Sequence, residues 1–305
     1  MKPEIKVSFK SFWQPFNPKK MPQDYFFEYV LSQAYDVTYD DENPDIVFYS
    51  VFGQPPNKKD YKKEPLFISF SGEPTEINSY ADLHLGFDVN DRDDYFRLPL
   101  WVMYILWDTE QIKNKLLFQN RTGQGSHDAP EMNISHKDNP LRLTNILHRI
   151  PEQFKKYFCN FTYSNPVNSR IEFFMKLKKY KFIHSTGKLA NNTPRMNCKV
   201  LELSDYKFTI AFENTLKTGY VTEKLLEPLI SGSVPIYFGD SQALQDFNPH
   251  AFIHVNKYGS FDDVIDFIRF IDNNDSLYFD YLNQPIFNTL PQYPTYLLKK
   301  IQKLL

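Results

Sequence analysis

The stretch Phe208 to Asp240, FTIAFENTLKTGYVTEKLLEPLISGSVPIYFGD, decides the fold. Alternating apolar residues from Phe208 to Phe212 predict a strand, and the apolar run from Val234 to Phe238 predicts another, with a helix between them. A strand, a helix and a strand in this order close onto a parallel sheet. The loop that enters the helix collects backbone N–H groups at the positive end of the helix dipole, which suits phosphate. The stretch therefore predicts an α/β fold with a phosphate site.

The composition narrows the class of protein. A chain of 305 residues is long enough for two domains, and 17% aromatic residues suit a protein that binds sugars. The net charge of −2 gives no basic excess, so nucleic acid is not an expected partner. With only Cys159 and Cys198, neither a disulfide framework nor a Cys-type zinc site is expected. No apolar run of membrane-spanning length and no signal sequence are visible, which favours a cytoplasmic protein.

Strands and helices also alternate in the first half. Ile5 to Phe9 and Leu66 to Phe70 are predicted strands, and a helix is expected to begin near Met21. Glu73 follows the second of these strands, after Gly72, and ligand crevices in such sheets lie at the carboxyl ends of the strands. A lone glutamate in a loop is usually solvated, so the position alone makes Glu73 only a candidate site residue.

The predicted domains meet near residue 150. The charged stretch from His148 to Lys156 predicts a boundary between a first domain, residues 1–150, and a second, residues 151–305. Tyr95 to Trp107 is strongly apolar and predicts a long buried helix in the first domain. The basic end of the chain, Tyr296 to Leu305, predicts an amphipathic helix that packs on the first domain, with weak contact to an anionic membrane surface as the alternative.

Six blocks of the sequence occur in a characteristic order: residues 67–73, 85–88 and 95–100 in the first half, and 212–214, 219–224 and 234–239 in the second. These blocks resemble the bacterial α-1,3/4-fucosyltransferases, which take fucose from GDP-fucose, and the likeness extends from about residue 46 to 288. It implies a GT-B fold, in which two Rossmann-like domains face a central cleft, with the acceptor on the first domain and GDP-fucose on the second. His184 departs from the family pattern and is interpreted as structural.

The resemblance implies roles for six side chains. Glu73 matches the proposed general base, which takes the proton of the attacking acceptor hydroxyl. The donor-binding residues that it implies are Arg170, Asn214, Tyr220, Glu223 and Lys224. A guanidinium suits a diphosphate because its fork binds phosphate oxygens at two places and keeps its charge. Without the resemblance, Glu223 and Lys224 would be interpreted as a surface ion pair and Tyr220 as a core residue.

No metal ion or other cofactor is expected to be required. Asp91-Arg92-Asp93 has the Asp-x-Asp pattern of metal-dependent transferases, but no apolar strand precedes it, and it is interpreted as an exposed turn. The expected partners are GDP-fucose and an N-acetyllactosamine-type acceptor, fucosylated through an α-1,3 or α-1,4 link and faced by the loop from Gln119 to Asn139. The alternatives are an inverting transferase for another nucleotide sugar and a catalytically inactive sugar-binding protein.

Overall fold

Two parallel β-sheets form the frame of the molecule. The structure, a computed structural model, describes residues 1–13, 22–74, 80–105, 107, 118–119, 131–132, 155–196 and 199–305. The first sheet comprises β1 (Glu4–Lys10), β2 (Asp36–Tyr39), β3 (Ile46–Tyr49), β4 (Leu66–Ser71), β5 (Leu83–Gly86) and β6 (Tyr95–Arg97). Its strands are all parallel, in the order β2-β1-β3-β4-β5-β6. Helix α1 (Pro22–Ser32) follows β1, and the short strands β7 (Phe118–Gln119) and β8 (Glu131–Met132) pair with each other.

The second sheet has the predicted parallel arrangement. Its strands are β9 (Tyr157–Phe161), β10 (Ile183–Ser185), β11 (Tyr206–Phe212), β12 (Val234–Phe238) and β13 (Ile253–His254), in the order β10-β9-β11-β12-β13. Its helices and those that follow are α2 (Asn168–Leu177), α3 (Lys199–Glu202), α4 (Glu223–Ser231), α5 (Ala243–Asp246), α6 (Phe261–Asp272), α7 (Asp275–Leu282) and α8 (Tyr293–Gln302). Since the strands are parallel, their carboxyl ends share one edge, and the candidate donor residues 213–224 leave from that edge.

The prediction of a long helix from Tyr95 to Trp107 is wrong. Its first residues form β6, and only Leu100–Tyr104 is helical, as a short 3₁₀ segment. Pro99 has an extended backbone with ψ of 147°, and a residue that precedes proline, here Leu98, is disfavoured in the α region. The apolar composition of the stretch therefore reflects burial and not helical periodicity.

One hydrophobic core joins the two halves of the chain. It contains Phe48 and Ile68 of the first sheet together with Leu225 and Leu229 of α4. Helix α8 contributes Leu297 to the same core and contacts α1, so it packs on the first half. A separate core, which includes alternate residues of β11 and β12, lies on the other face of the second sheet under α2 and α6.

Two predicted features lie outside the described residues. They are most of the loop expected to face the acceptor, residues 119–139, and the predicted domain boundary at residue 150. Among the helices that the structure does describe, none combines the length and the apolar character needed to cross a membrane.

Candidate functional site

Strand β11, helix α4 and strand β12 form the predicted phosphate-binding unit. Thr222 is the N-cap of α4, and its hydroxyl accepts a hydrogen bond from the backbone N–H of Lys224 at 3.4 Å. The helix carries Pro228 in its interior and ends at Gly232, whose φ of 72° is left-handed. With 9 residues it is short, as the proline predicts. Its amino end lies at the carboxyl edge of the sheet, where its dipole favours an anion.

Lys224 contacts two carboxylates at the start of α4. Its Nζ lies 3.5 Å from Glu213 Oε2 and 3.4 Å from Glu223 Oε1, and it donates to Thr222 Oγ1 at 3.1 Å. Glu213 accepts hydrogen bonds from the backbone N–H and the hydroxyl of Thr222, each at 2.8 Å. We call Glu213, Thr222, Glu223 and Lys224 the Lys224 cluster. Its hydrogen bonds fix the ammonium at the amino end of α4.

Burial and neighbouring charges control protonation in the Lys224 cluster. Burial alone would lower the pKa of Lys224, but the carboxylates of Glu223 and Glu213 hold this pKa well above its ordinary value. Burial raises the pKa of the Glu213 carboxyl, and the nearby Lys224 ammonium opposes that rise. Lys224 therefore remains a charged ammonium in a site that largely excludes water, where it interacts strongly with anions.

Arg170 lies in the first turn of α2 and is fully buried. Its Nε and Nη2 donate to the carbonyl oxygen of Phe212 at 3.2 and 2.6 Å, and its Nη2 donates to Asn214 Oδ1 at 2.7 Å. The guanidinium carbon lies 4.0 Å from the ring centroid of Tyr163. Within the described ranges, no carboxylate forms an ion pair with Arg170. A buried cation without a counter-ion is costly, so this side of the site favours an incoming anion.

Glu73 follows β4 and lies near the charges of the second half. Ser71 Oγ donates to the backbone carbonyl of Glu73 at 2.9 Å, which fixes the turn. Burial raises the pKa of the Glu73 carboxyl, the Lys224 ammonium lowers it, and the carboxylates of Glu223 and Glu213 raise it further. The Glu73 carboxyl of the first half therefore interacts electrostatically with three charged residues of the second half.

Tyr220 is buried between the two halves. Only 2% of it is exposed, and its ring meets that of Phe87 edge to face with 5.1 Å between the centroids. Burial raises the pKa of Tyr220, and Lys224 opposes this, while the carboxylates of Glu213 and Glu73 contribute to it. Tyr220 therefore interacts electrostatically with Glu73 of the first half and with members of the Lys224 cluster.

Three residues of this region have no role predicted from the sequence: Glu213, Tyr163 and Phe87. An acidic residue that directly follows an apolar strand was the available signal for Glu213. Tyr163 accepts from the backbone N–H of Phe212 at 2.6 Å and donates to Ile210 O at 2.9 Å, so it supports the end of β11. Phe87 falls within the block at residues 85–88, but its contact with Tyr220 joins distant parts of the chain, as do the hydrogen bonds of Tyr163.

A groove of about 520 Å³ follows β10, lined by residues between Gly187 and Arg195. A Cβ at Gly187 would lie 2.2 Å from the carbonyl oxygen of Tyr163, so the groove begins beside the backbone of the residue whose ring faces Arg170. His184 of β10 lies with its ring centroid 4.3 Å from that of Tyr157, a packing contact in keeping with a structural role.

The Asp-x-Asp segment at residues 91–93 is exposed and lies outside the strands and helices. In the part of the chain that the structure covers, no group of three His, Cys, Asp or Glu side chains could hold a metal ion. The geometry thus offers cationic side chains and a helix N-terminus for a phosphate group.

The sequence of this chain is similar to those of several known proteins. The chain is 28% identical over 297 residues to alpha-(1,3)-fucosyltransferase FucT of Helicobacter pylori, which covers 94% of this chain and 61% of that protein. It is 31% identical over 121 residues to human 4-galactosyl-N-acetylglucosaminide 3-alpha-L-fucosyltransferase 9, which covers 39% of this chain and 34% of that protein. The chain therefore spans about three fifths of the length of the Helicobacter pylori relative.

The fold is confirmed by a solved structure. The crystal structure of an alpha1,3-fucosyltransferase with GDP-fucose matches with a TM-score of 0.73 over 100% of this chain and 91% of that chain, at 24% identity. The GT-B class predicted from the sequence is therefore right. Residues 7–104 match the model of the alpha-(1,3)-fucosyltransferase FucT N-terminal domain, and residues 151–285 match glycosyltransferase family 10 (fucosyltransferase) C-term. With both halves matched, the chain belongs to glycosyltransferase family 10, the fucosyltransferases.

Proposed function

We propose that the protein is an inverting fucosyltransferase that moves L-fucose from GDP-fucose to a GlcNAc hydroxyl of an N-acetyllactosamine-type glycan, through an α-1,3 link. The observation that carries the proposal is the position of the buried ammonium of Lys224 in the first turn of α4, between Glu213 and Glu223. The Glu73 carboxyl of the first half interacts electrostatically with this ammonium, so a candidate base accompanies a candidate phosphate-binding cation. Membership of the fucosyltransferase family supports the donor, and the human relative, a 4-galactosyl-N-acetylglucosaminide 3-alpha-L-fucosyltransferase, supports the acceptor.

The donor diphosphate would bind between Lys224 and the first turn of α4. Breaking the sugar–phosphate bond places negative charge on the leaving GDP, and fixed cations and N–H groups stabilise such charge best in a site that excludes water. Arg170 and Asn214, joined by a hydrogen bond of 2.7 Å, would flank the diphosphate, and Tyr220 the fucose. Glu223 would hold a hydroxyl of the donor sugar. With these cations in place, no divalent metal is required.

The groove after β10 would hold the guanosine end of the donor. It lies at the carboxyl edge of the second sheet and begins beside Tyr163, on which Arg170 stacks. Its side chains include the cations Lys188 and Arg195 and the two amides Asn191 and Asn192. This edge is where nucleotides bind in open α/β sheets.

The transfer would proceed by a single displacement. The acceptor hydroxyl oxygen attacks the anomeric carbon, the bond from that carbon to the β-phosphate oxygen breaks, and its electron pair leaves with GDP. Glu73 takes the proton of the hydroxyl. Burial raises the pKa of Glu73, which makes its carboxylate a stronger base than a solvated glutamate. Attack from the face opposite the leaving group converts the β-linked donor into an α-linked product.

A transfer assay tests the proposal. The enzyme is given GDP-fucose or GDP-mannose with type 1 and type 2 N-acetyllactosamine and their sialylated forms, and the products are analysed for linkage. We expect transfer from GDP-fucose and an α-1,3 link on type 2 acceptors. Transfer from GDP-mannose instead would replace the proposed donor. Binding of GDP-fucose in calorimetry without transfer to any acceptor would indicate a sugar-binding protein.

A further inference from the structure

A buried ion pair joins the two halves next to the candidate donor site. Arg97, the last residue of β6, forms two hydrogen bonds of 2.8 Å with the two carboxylate oxygens of Asp246 in α5. The side chains are 16% and 5% exposed. This forked geometry is the strong and directional form of an arginine–carboxylate contact.

The remaining N–H groups of Arg97 bind both halves. Its Nε donates to the carbonyl oxygen of Phe87 at 3.1 Å, and its Nη2 also donates to the carbonyl oxygen of Gly219 at 3.3 Å. Its Nη1 donates to the hydroxyl of Tyr293 at 2.8 Å. One guanidinium thus contacts Phe87 of the first half, Gly219 in the loop between β11 and α4, and the helices α5 and α8.

Gly219 is held from several sides at the same point. Its φ of 78° is left-handed, and a Cβ added to it would lie 2.2 Å from Phe87 O. Its N–H donates to Asp240 Oδ1 at 2.9 Å. The ring of the next residue, Tyr220, meets the ring of Phe87 edge to face. These contacts fix the conformation of the loop at Gly219, which leads to Tyr220 and Thr222. Arg97 binds the loop at this same point and also binds Phe87.

We propose that Arg97 and Asp246 are positioning residues that lock the loop at Gly219 and Tyr220 against the first half, and so align the donor site with Glu73. The alignment of the donor site with Glu73 rests on the proposed function. The locking of the loop at Gly219 and Tyr220 does not depend on it. Lysine cannot replace Arg97 here, because a single ammonium lacks the planar fork that binds Asp246 at two oxygens while it contacts Phe87 and Gly219.

The test compares Arg97→Lys with a matched control. Lys207→Met removes another buried ion pair, since Lys207 Nζ lies 3.0 Å from Asp272 and the side chains are 19% and 2% exposed. Lys207 lies near the amino end of β11, away from the site. Tyr293→Phe removes one contact of Arg97 but leaves Asp246 and Gly219 bound. Asp246→Asn keeps the shape of the carboxylate and serves if Arg97→Lys does not fold.

Hydrogen–deuterium exchange of the peptide that contains Gly219 and Tyr220 is the first measurement. We expect exchange there to quicken roughly tenfold in Arg97→Lys or Asp246→Asn, in keeping with local opening, and to stay unchanged in Lys207→Met and Tyr293→Phe. Unchanged exchange in a folded variant would overturn the lock, whether or not the protein transfers fucose.

Calorimetry with GDP is the second measurement. We expect Arg97→Lys to weaken GDP binding and to raise the KM for the donor, while Lys207→Met changes only thermal stability. If exchange quickens but GDP binding and KM stay at the wild-type values, the alignment role is wrong. If the wild-type protein binds no GDP, the proposed function fails, while the exchange result still decides the lock.

Discussion

Lys224 is shared between two carboxylates, Glu213 at 3.5 Å and Glu223 at 3.4 Å. A diphosphate therefore competes with these carboxylates for the ammonium. Arg170, by contrast, binds carbonyl and amide oxygens and has no carboxylate partner in the described parts of the chain. At the scale of the residue, we expect Arg170 to supply the uncompensated positive charge of the site and Lys224 the charge whose partners rearrange on donor binding.

Substitution of the proposed base should separate binding from chemistry. In Glu73→Gln the amide cannot take the acceptor proton, so we expect turnover to fall by about 10²–10⁴-fold. The donor affinity should stay close to wild type, because the proposed role of Glu73 is to take the proton of the acceptor hydroxyl and not to hold the diphosphate. Single-turnover kinetics and calorimetry with GDP-fucose measure the two effects. The control is Glu64→Gln on a surface carboxylate that is 70% exposed, and turnover equal to wild type in Glu73→Gln would remove this residue as the base.

The same carboxyl predicts the acid limb of the pH–rate profile. Below its pKa Glu73 is protonated and cannot accept a proton, so kcat/KM should fall as the pH is lowered through that pKa. Because burial raises the pKa, we expect the midpoint above the 4.5 of an ordinary glutamate. The residual activity of Glu73→Gln should lack this limb. A limb that persists in the variant would belong to another group, such as the buried Glu213.

Chelation tests the role of the fixed cations. If Lys224 and Arg170 stabilise the leaving diphosphate, treatment with EDTA should leave the transfer rate unchanged. The assay measures GDP release with and without EDTA, followed by addition of Mn²⁺ or Mg²⁺. Complete loss with EDTA, restored only by the added metal, would contradict the prediction.

At this scale the sequence identifies candidate side chains but not the residues that support them. Glu73, Asn214 and Lys224 are candidates because their residue types suit the chemistry and because they occur in the family blocks. Tyr163 and Phe87 act through packing and hydrogen bonds across distant parts of the chain, and a local pattern carries no information on such contacts. The full burial of Arg170 likewise depends on how α2 packs on the end of β11.

At the scale of the element, the N-cap of α4 links helix stability to the donor site. Thr222 is fully buried and binds Glu213 and Lys224 in addition to capping the helix. We expect Thr222→Val to lower the free energy of unfolding by about 1–3 kcal/mol, because Glu213 loses a hydrogen-bond donor in a buried place. Thr222→Ser should retain most of this stability.

Urea unfolding monitored by fluorescence measures the change, and calorimetry with GDP measures the effect on the site. GDP binding should be weaker in Thr222→Val and close to wild type in Thr222→Ser. If the valine variant had the stability and affinity of the wild type, the hydroxyl would have no part in holding Glu213 and Lys224.

The helices and strands could be predicted from the sequence where capping residues mark their ends. Thr222 and Gly232 delimit α4, and Ser260 caps α6 through its hydrogen bond with the backbone N–H of Asp263 at 3.2 Å. The stretch from Tyr95 to Trp107 contains no such end-marking residue apart from Pro99. A fully buried apolar run is compatible with either helix or strand, so the edge strand β6 was not recognised.

At the scale of the whole molecule, α8 attaches the end of the chain to the first half. Leu297 is fully buried in the shared core, whereas its neighbour Tyr296 is 58% exposed. We expect Leu297→Ala to destabilise the protein by about 2–5 kcal/mol through the cavity that it leaves. Tyr296→Ala, the control on the same helix, should change stability little.

Thermal unfolding and co-sedimentation with anionic vesicles together test whether α8 packs on the first half or contacts a membrane. A helix whose apolar face is packed in the core should give a clear drop in Tm for Leu297→Ala and no vesicle binding that depends on Leu297. Wild-type vesicle binding that is lost in Leu297→Ala, without a change in Tm, would instead favour membrane contact by this face.

The core shared by α4 and the first sheet has a consequence for protein engineering. Exchanging the entire first half for that of a relative, in order to change the acceptor, would also replace the surface on which Leu225 and Leu229 are packed. The 3₁₀ segment at Leu100–Tyr104, which contacts α4, would be replaced with it. Chimeric transferases should therefore be built by grafting loops beyond the strand ends, so that each half keeps the neighbour with which its core is complete.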